Sequence, residues 1–289
     1  MAVNYGTKYS VGKGSLNIYT EGVGDITIVF LSGGGVTSPV LEYSPLYRRL
    51  SDTYRIAVVE KSGYGMSEST GTQRTVENMV NESREALKKA GIMPPYVLAA
   101  HSYSGFEAIY WANTYPNEIK AVLSIDMGLP DTAAEMGKVM TEEKRLRANE
   151  KNKKLFAKIQ KRGLLAKLAK KLTVDVSGLM SSDHLSDEEK TLYADLFYRN
   201  ITNEEVFEEN MNLVSNAEKA GKTGMLSVPA FFYISDFKAP MKEGTWKEYA
   251  IKYAEKIGAQ YKITDKGHMM YTKIPDEMAE SFKRFLARI

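Results

Sequence analysis

The stretch Val97-Leu-Ala-Ala-His-Ser-Tyr-Ser-Gly-Phe106 guides the interpretation of the whole sequence. Apolar residues typical of a buried strand (96–100) lead through a short polar corner into a pattern typical of a helix. Ser102 lies at the corner, and the small residues Ala100 and Ser104 stand two positions to either side. Small neighbours suit a tight strand-to-helix turn, so the stretch predicts either an exposed nucleophilic serine or a serine that only caps the helix.

Two glycine-containing segments precede this corner. Ser32-Gly33-Gly34-Gly35 follows a nearly continuous apolar run (26–31), and Glu60-Lys-Ser-Gly-Tyr-Gly-Met-Ser67 follows a second strand-like run. In this order, the three motifs resemble those of the α/β-hydrolase family, with Ser102 in the nucleophile position. The resemblance implies an oxyanion hole formed by the backbone amides of Gly34 and Tyr103. The sequence departs from the family at Ser32, where many relatives carry His, and at Glu60, which stands in the place of an Asp.

A serine nucleophile needs a base, and the base needs a third group that orients it. His268 follows the last predicted strand in a Gly-His pair and is the predicted base, because the order Ser, Asp, His along the chain is that of the hydrolases. Asp236, just after the strand 228–234, is the preferred acid, and Asp126 is the alternative. We expect His101 to have a structural role.

Strands and helices alternate regularly in two parts of the chain, which predicts a mainly parallel eight-stranded sheet flanked by helices. Residues 1–130 and 223–289 are predicted to form this α/β-hydrolase core. Residues 131–222 contain helical patterns and no convincing strand, so we expect them to form an inserted, all-helical cap over the active site, as the family resemblance implies.

The segment Glu142–Lys171 carries a net charge of +9, whereas the whole chain carries +3. Its apolar residues recur at helical spacing, at Leu155, Phe156, Ile159, Leu165, Leu168 and Leu172. We expect a cap helix that packs these residues inward. The alternative is a basic amphipathic helix that lies on an anionic membrane surface.

Composition excludes several classes of site. The chain contains no cysteine, which excludes disulfides and thiol chemistry, and its three histidines are too far apart to suggest a metal site. No cofactor is implied, and a net charge of +3 is too small to indicate a nucleic-acid partner. No signal peptide or long apolar run is present, so the chain as given is expected to be cytoplasmic, or else to be the soluble domain of an anchored or exported protein.

The predicted function is that of a serine hydrolase which cleaves a small carboxylic ester through an acyl-enzyme. Hydrolysis of amides, peptides or thioesters, in the manner of proline iminopeptidases, is the enzymatic alternative. The non-enzymatic alternative is a ligand receptor that retains the hydrolase fold but has little turnover. We expect a monomer or homodimer, with a substrate pocket lined by Gly33, Tyr64, Phe106 and Met269, which stand near the motifs.

Overall fold

The computed structural model describes residues 5–160 and 175–289. Within these residues, eight strands form one sheet in the order β1-β2-β4-β3-β5-β6-β7-β8. They are β1 (Thr7–Val11), β2 (Gly14–Glu21), β3 (Thr27–Leu31), β4 (Arg55–Glu60), β5 (Tyr96–His101), β6 (Ile119–Ile125), β7 (Ala230–Ser235) and β8 (Gln260–Thr264). The β1–β2 and β2–β4 pairs are antiparallel and all other pairs are parallel. The predicted mainly parallel sheet of eight strands is confirmed.

The helices flank this sheet. In chain order they are α1 (Pro39–Glu42), α2 (Ser44–Tyr47), α3 (Val76–Lys89), α4 (Ser104–Thr114), α5 (Pro130–Val139), α6 (Glu142–Gln160), α7 (Asp187–Asn200), α8 (Glu204–Met211), α9 (Leu213–Lys222), α10 (Trp246–Lys256) and α11 (Pro275–Leu286). The residues between β3 and β4 form two short helices, α1 and α2, each with a proline in its first turn, where the missing N–H costs no hydrogen bond.

Strand register brings the sequence motifs to one edge of the sheet. Leu31 at the end of β3 lies opposite Ala100 of β5, and His101 lies opposite Ile125 at the end of β6. The glycine-rich loop, Ser102 and Asp126 each follow the carboxyl end of one of these strands. In open α/β sheets, this is the edge at which ligands bind.

Helices α5 to α9, the described part of residues 130–222, lie between β6 and β7 and are called here the helical insertion. No strand occurs in the described part of this insertion. Phe156 of α6 packs edge-on against Phe197 of α7, with ring centroids 5.9 Å apart. The predicted stripe residues Leu165, Leu168 and Leu172 lie outside the described residues. In the part of the chain that the structure describes, no helix is both long and apolar enough to cross a membrane.

Candidate active site

Ser102 has a backbone conformation that side-chain-bearing residues rarely adopt. Its φ is +52°, and its carbonyl accepts hydrogen bonds from the amides of Gly105 (3.0 Å) and Gly128 (2.6 Å). Such a conformation costs on the order of 1–3 kcal/mol and is concentrated at functional sites. Ser102 does not cap α4: the residue in the cap position is Tyr103, and no side chain bonds there. The capping interpretation of this serine is therefore wrong.

The neighbouring hydroxyl of Ser104 holds the corner together. It donates to the carbonyls of Leu31 and His101 (both 2.9 Å) and accepts the amide of His101 (2.9 Å). The corner therefore joins the end of β3 to the end of β5. Gly105 is needed for a different reason, since a Cβ there would lie 2.2 Å from the carbonyl oxygen of Gly128.

His268 is paired with Asp126. The Asp126 Oδ2 atom lies 2.6 Å from His268 Nδ1, and the carboxylate also accepts the Ser235 amide, the Ser235 hydroxyl and the Trp246 indole N–H. Asp126 is 2% exposed and also has a left-handed φ of +51°. A hydrogen bond at Nδ1 leaves Nε2 as the nitrogen available to a substrate or nucleophile.

The preference for Asp236 as the partner of His268 is corrected in favour of Asp126. Side chains alternate between opposite sides along an extended chain. Ser235, the last residue of β7, directs its hydroxyl to Asp126 at 2.5 Å, and Asp236 comes next and is exposed to solvent. At the end of β7, the residue that contacts the Asp126 carboxylate is therefore Ser235, a hydrogen-bond donor, and Asp236 faces away from it.

Two aromatic rings that the sequence reasoning missed fix the His268 imidazole. Phe237 stacks on it, with centroids 4.3 Å apart and an interplanar angle of 18°. Trp246 meets it edge-on at 5.6 Å and also donates to Asp126 at 3.0 Å. No spacing rule relates these residues to His268, although Phe237 stands next to the aspartate that sequence reasoning preferred.

His101 has a structural position behind the site. It is 1% exposed, and burial, together with the nearby His268, lowers its pKa well below the usual value, so the ring is neutral. Its Nε2 donates to the His268 carbonyl (3.3 Å), and its Nδ1 accepts from the Tyr43 hydroxyl (3.2 Å). The hydroxyl of Tyr43 in turn accepts the amide of Gly33 (3.1 Å). His101 thus links the His268 loop to the glycine-rich loop.

The glycine-rich loop lies against the serine corner. A Cβ on Gly33 would come within 2.9 Å of the Ser102 Cβ, and one on Gly34 within 2.4 Å of the Tyr103 ring. The amides of Gly33 and Gly35 donate to tyrosine hydroxyls, whereas the Gly34 amide donates to no other described residue. The amide of Tyr103 precedes the first turn of α4, where backbone N–H groups have no acceptor within the helix.

A cavity of about 540 Å³ lies between this edge of the sheet and the helical insertion. Ser102, Gly34, Tyr103 and His268 line it on the side of the sheet. From the helical insertion, the lining residues are Met136, Asn149, Asn152, Lys153, Leu155, Phe156, Val176, Ser177, Tyr193, Phe197, Ile201, Thr202, Val206, Phe207 and Asn210. The lining is therefore largely apolar, with a few amide and hydroxyl groups and the ionisable side chains of Lys153 and Glu42.

Of the four residues predicted to line a pocket, Met269 lies on the cavity wall. Gly33, Tyr64 and Phe106 are corrected, since none of them belongs to the lining. Gly33 packs against His101, and Phe106 is buried in the core between sheet and helices. Tyr64 is 1% exposed, and its hydroxyl is engaged with Gly35 and Glu209. Nearness to a motif in the sequence did not predict which side of the loop each residue faces.

A buried carboxyl group that the sequence reasoning missed also lines the cavity. Glu42 accepts hydrogen bonds from Tyr193 of the helical insertion (2.5 Å) and from Tyr271 beside the His268 loop (2.9 Å). Burial raises its pKa above the usual value. Glu42 therefore connects the helical insertion to the sheet edge.

No hydrogen bond joins Ser102 to His268 among the described residues; the two side chains share the cavity instead. Within residues 5–160 and 175–289, no group of three or more His, Asp or Glu side chains is arranged to hold a metal ion.

Known proteins resemble this chain over almost its whole length. No family model matches it. The chain is 30% identical over 292 residues to an uncharacterised protein, YbdG, of Bacillus subtilis, and the match covers 98% of this chain and 86% of the relative. Among solved structures, a protein of Acinetobacter baumannii provisionally assigned as a lipase has a TM-score of 0.71 at 18% identity, covering 98% of this chain and 90% of that one. The carboxylesterase CesB of Bacillus subtilis has a TM-score of 0.63 at 16% identity, covering 97% and 90%.

Proposed function

We propose that this chain, which has the α/β-hydrolase fold, is a serine hydrolase that cleaves a carboxylic ester or a related acyl bond. The observation that carries the proposal is the 2.6 Å hydrogen bond between Asp126 and His268, on the wall of the cavity that also contains Ser102. The left-handed backbone of Ser102 supports it independently, as does the Gly34 amide, which has no acceptor within residues 5–160 and 175–289.

In the proposed reaction, each of these groups has one role. The Ser102 hydroxyl attacks the ester carbonyl while His268 Nε2 takes its proton, and the carboxylate of Asp126 stabilises the imidazolium that results. The amides of Gly34 and Tyr103 donate to the oxyanion of the tetrahedral intermediate. His268 then gives the proton to the leaving alkoxide, which departs as the alcohol and leaves an acyl-Ser102. A water molecule, deprotonated by His268, attacks this ester; the bond between the acyl group and Ser102 breaks, His268 returns the proton to the Ser102 oxygen, and the acid is released.

We further propose that the helical insertion acts as a cap whose inner side selects the substrate. This is supported by the lining of the cavity, in which apolar side chains of α6, α7 and α8 lie across from Ser102. Such a lining favours a small, largely apolar acyl or alcohol group.

A fluorophosphonate probe tests the proposal directly. We expect the wild-type protein to be labelled covalently, Ser102→Ala to be unlabelled, and Ser104→Ala, if folded, to retain labelling, because Ser104 has a structural role. Turnover of short p-nitrophenyl esters against matched anilides and thioesters then separates ester hydrolysis from the amide and thioester alternatives. A folded wild-type protein that is neither labelled nor active favours the receptor alternative and ends the proposal.

A further inference from the structure

A cluster of buried charged and polar side chains lies behind the glycine-rich loop. Lys61, Tyr64, Glu107 and Glu209 are each exposed by 3% or less. The Lys61 ammonium lies 2.5 Å from Glu209 Oε1 and 3.1 Å from Glu107 Oε1, and Tyr64 donates to Glu209 Oε2 at 2.8 Å. The cluster joins three segments that are far apart in the sequence, namely the turn after β4, the helix α4 and the insertion helix α8.

One arm of this cluster reaches the glycine-rich loop. Because the Tyr64 hydroxyl gives its proton to Glu209, its lone pairs remain to accept the amide of Gly35 at 3.1 Å. On the other side, the amide of Gly33 is held by Tyr43 at 3.1 Å. The amide of Gly34 is thus fixed in direction by a hydrogen bond on each flanking glycine.

The other arm reaches the helix that carries the second oxyanion donor. Glu107 stands four residues after Tyr103 in the sequence, one helical turn further along α4. Through Lys61, the carboxylate of Glu209 is connected to this helix as well. Glu209 is therefore linked to both segments that supply oxyanion amides. Tyr64 links it to the glycine-rich loop, and Lys61 links it to α4.

Stability alone does not account for such a cluster. Replacing buried ion pairs with well-packed apolar residues is often neutral or stabilising, whereas removing one partner leaves an uncompensated charge. The cluster contains two carboxyl groups for one ammonium, and Glu107 Oε2 is buried without a hydrogen-bond partner among the described residues. Its geometry, in contrast, is suited to fixing the relative positions of the glycine-rich loop, the turn after β4, and the helices α4 and α8.

We propose that Glu209 and Tyr64 are positioning residues for the oxyanion hole: Glu209 orients the Tyr64 hydroxyl, which orients the glycine-rich loop, so that the Gly34 amide points into the cavity only when α8 is seated. This inference rests on the proposed function. If Glu209 and Tyr64 act in this way, the oxyanion hole is complete only when α8 of the helical insertion is packed in its place.

The test uses two variants of the relay. Tyr64→Phe removes the acceptor of the Gly35 amide outright. Glu209→Gln retains the shape of the side chain, but Lys61 and Tyr64 donate to different oxygens of Glu209, and in glutamine one of these two positions becomes an NH₂ donor. Direct loss of an oxyanion donor costs about 10²–10³-fold in kcat. For misdirection of that donor we expect a loss of about 10–100-fold in kcat in both variants, with KM changed by less than about 2-fold.

Two matched controls remove equivalent groups elsewhere. Tyr253→Phe deletes a buried hydroxyl that accepts the Leu226 amide at 3.0 Å, and Glu208→Gln changes the neighbouring carboxylate of α8, which accepts the Arg74 amide at 3.1 Å. Neither touches the glycine-rich loop. We expect both controls to retain wild-type kcat, even where the free energy of unfolding falls.

A second readout does not depend on activity. Amide hydrogen exchange in a peptide covering residues 32–36 is expected to be faster in Tyr64→Phe and Glu209→Gln than in wild type or in the controls. The inference would be overturned if both Tyr64→Phe and Glu209→Gln left the exchange rate and kcat unchanged. It would also be overturned if these variants raised KM and left kcat unchanged. A wild type that neither turns over esters nor reacts with the fluorophosphonate refutes the proposed function instead, and the exchange experiment then still decides whether the relay holds the loop.

Discussion

At the scale of single residues, the two aspartates at the ends of β6 and β7 have opposite environments. Asp126 is buried under four hydrogen-bond donors, one of them His268, whereas Asp236 is exposed. We therefore expect Asp126→Asn to lower kcat by about 10⁴-fold, because the amide no longer stabilises the imidazolium or fixes its tautomer. Ester hydrolysis measured at saturating substrate checks this.

Asp236→Asn serves as the control for that experiment. Its side chain faces solvent, so its replacement is expected to change kcat by less than about 2-fold. The opposite pattern, with Asp236→Asn inactive and Asp126→Asn active, would require the loop after β7 to rearrange and would contradict the assignment of Asp126.

The serine corner and the glycine-rich loop could be predicted from the sequence, whereas the aspartate that pairs with His268 could not be chosen with the same certainty. Ser102 and Gly34 stand inside contiguous motifs, so their positions follow from local patterns. The choice between Asp126 and Asp236 depends instead on a left-handed φ at Asp126 and on the single-residue alternation that turns Ser235 inward. Neither property has a sequence signature. The contact between Lys61 and Glu209 could not be predicted for another reason, because it joins residues 148 positions apart in the chain.

At the scale of elements, the turn after β4 is organised around a buried carboxyl group. Glu60 accepts the amides of Met66 (2.7 Å) and Val40 (3.4 Å) and the side-chain amide of Asn17 (3.0 Å). Glu60, which stands in the place of the family's Asp, therefore has a structural role in this turn. Gly65 packs so closely on this carboxyl group that a Cβ there would lie 1.9 Å from the Glu60 Cδ.

Gly65→Ala is therefore expected to cost well over 3 kcal/mol, or to prevent folding, because it adds a steric clash to an unfavourable φ of +53°. Gly91→Ala is the matched variant: its φ is +71°, but nothing lies within 4 Å of its added Cβ, so only the conformational cost of about 1–2 kcal/mol should remain. Urea denaturation compares the two, and equal losses would show that the Glu60 carboxyl group can move aside.

At the scale of the whole molecule, buried ionisable groups give stability an unusual dependence on pH. Burial raises the pKa of Glu60 and of Glu107 to about 7, from an ordinary value of 4.5. The folded protein then holds these protons more tightly than the unfolded chain, so their contribution to stability is largest below pH 4.5 and is lost as pH rises to about 7. His101, whose pKa is lowered by burial, acts in the opposite direction: its contribution is lost as pH falls below 6.5.

Comparison with Glu107→Gln isolates one of these contributions. Between pH 4.5 and 7, the free energy of unfolding of the wild type should fall more steeply than that of the variant, by up to about 3 kcal/mol over the interval. Glu85→Gln, at an exposed position on α3, should run parallel to the wild type. Parallel curves for wild type and Glu107→Gln would show that Glu107 is ionised throughout this range.

The helical insertion lies in the chain between two strands that are neighbours in the sheet, since β6 ends at Ile125 and β7 begins at Ala230. The entropic cost of closing a loop grows only with the logarithm of its length, by about 0.6 kcal/mol per doubling. The closure term alone therefore permits segments of very different length at this place. The end of the insertion is anchored, however, because Leu213, Ala217 and Ala220 of α9 belong to the core that packs on the sheet. A lineage with this architecture can accordingly acquire new preferences for its ligands by remodelling α6 and α7, which face the cavity, while the anchored segment and the ends of the strands stay unchanged.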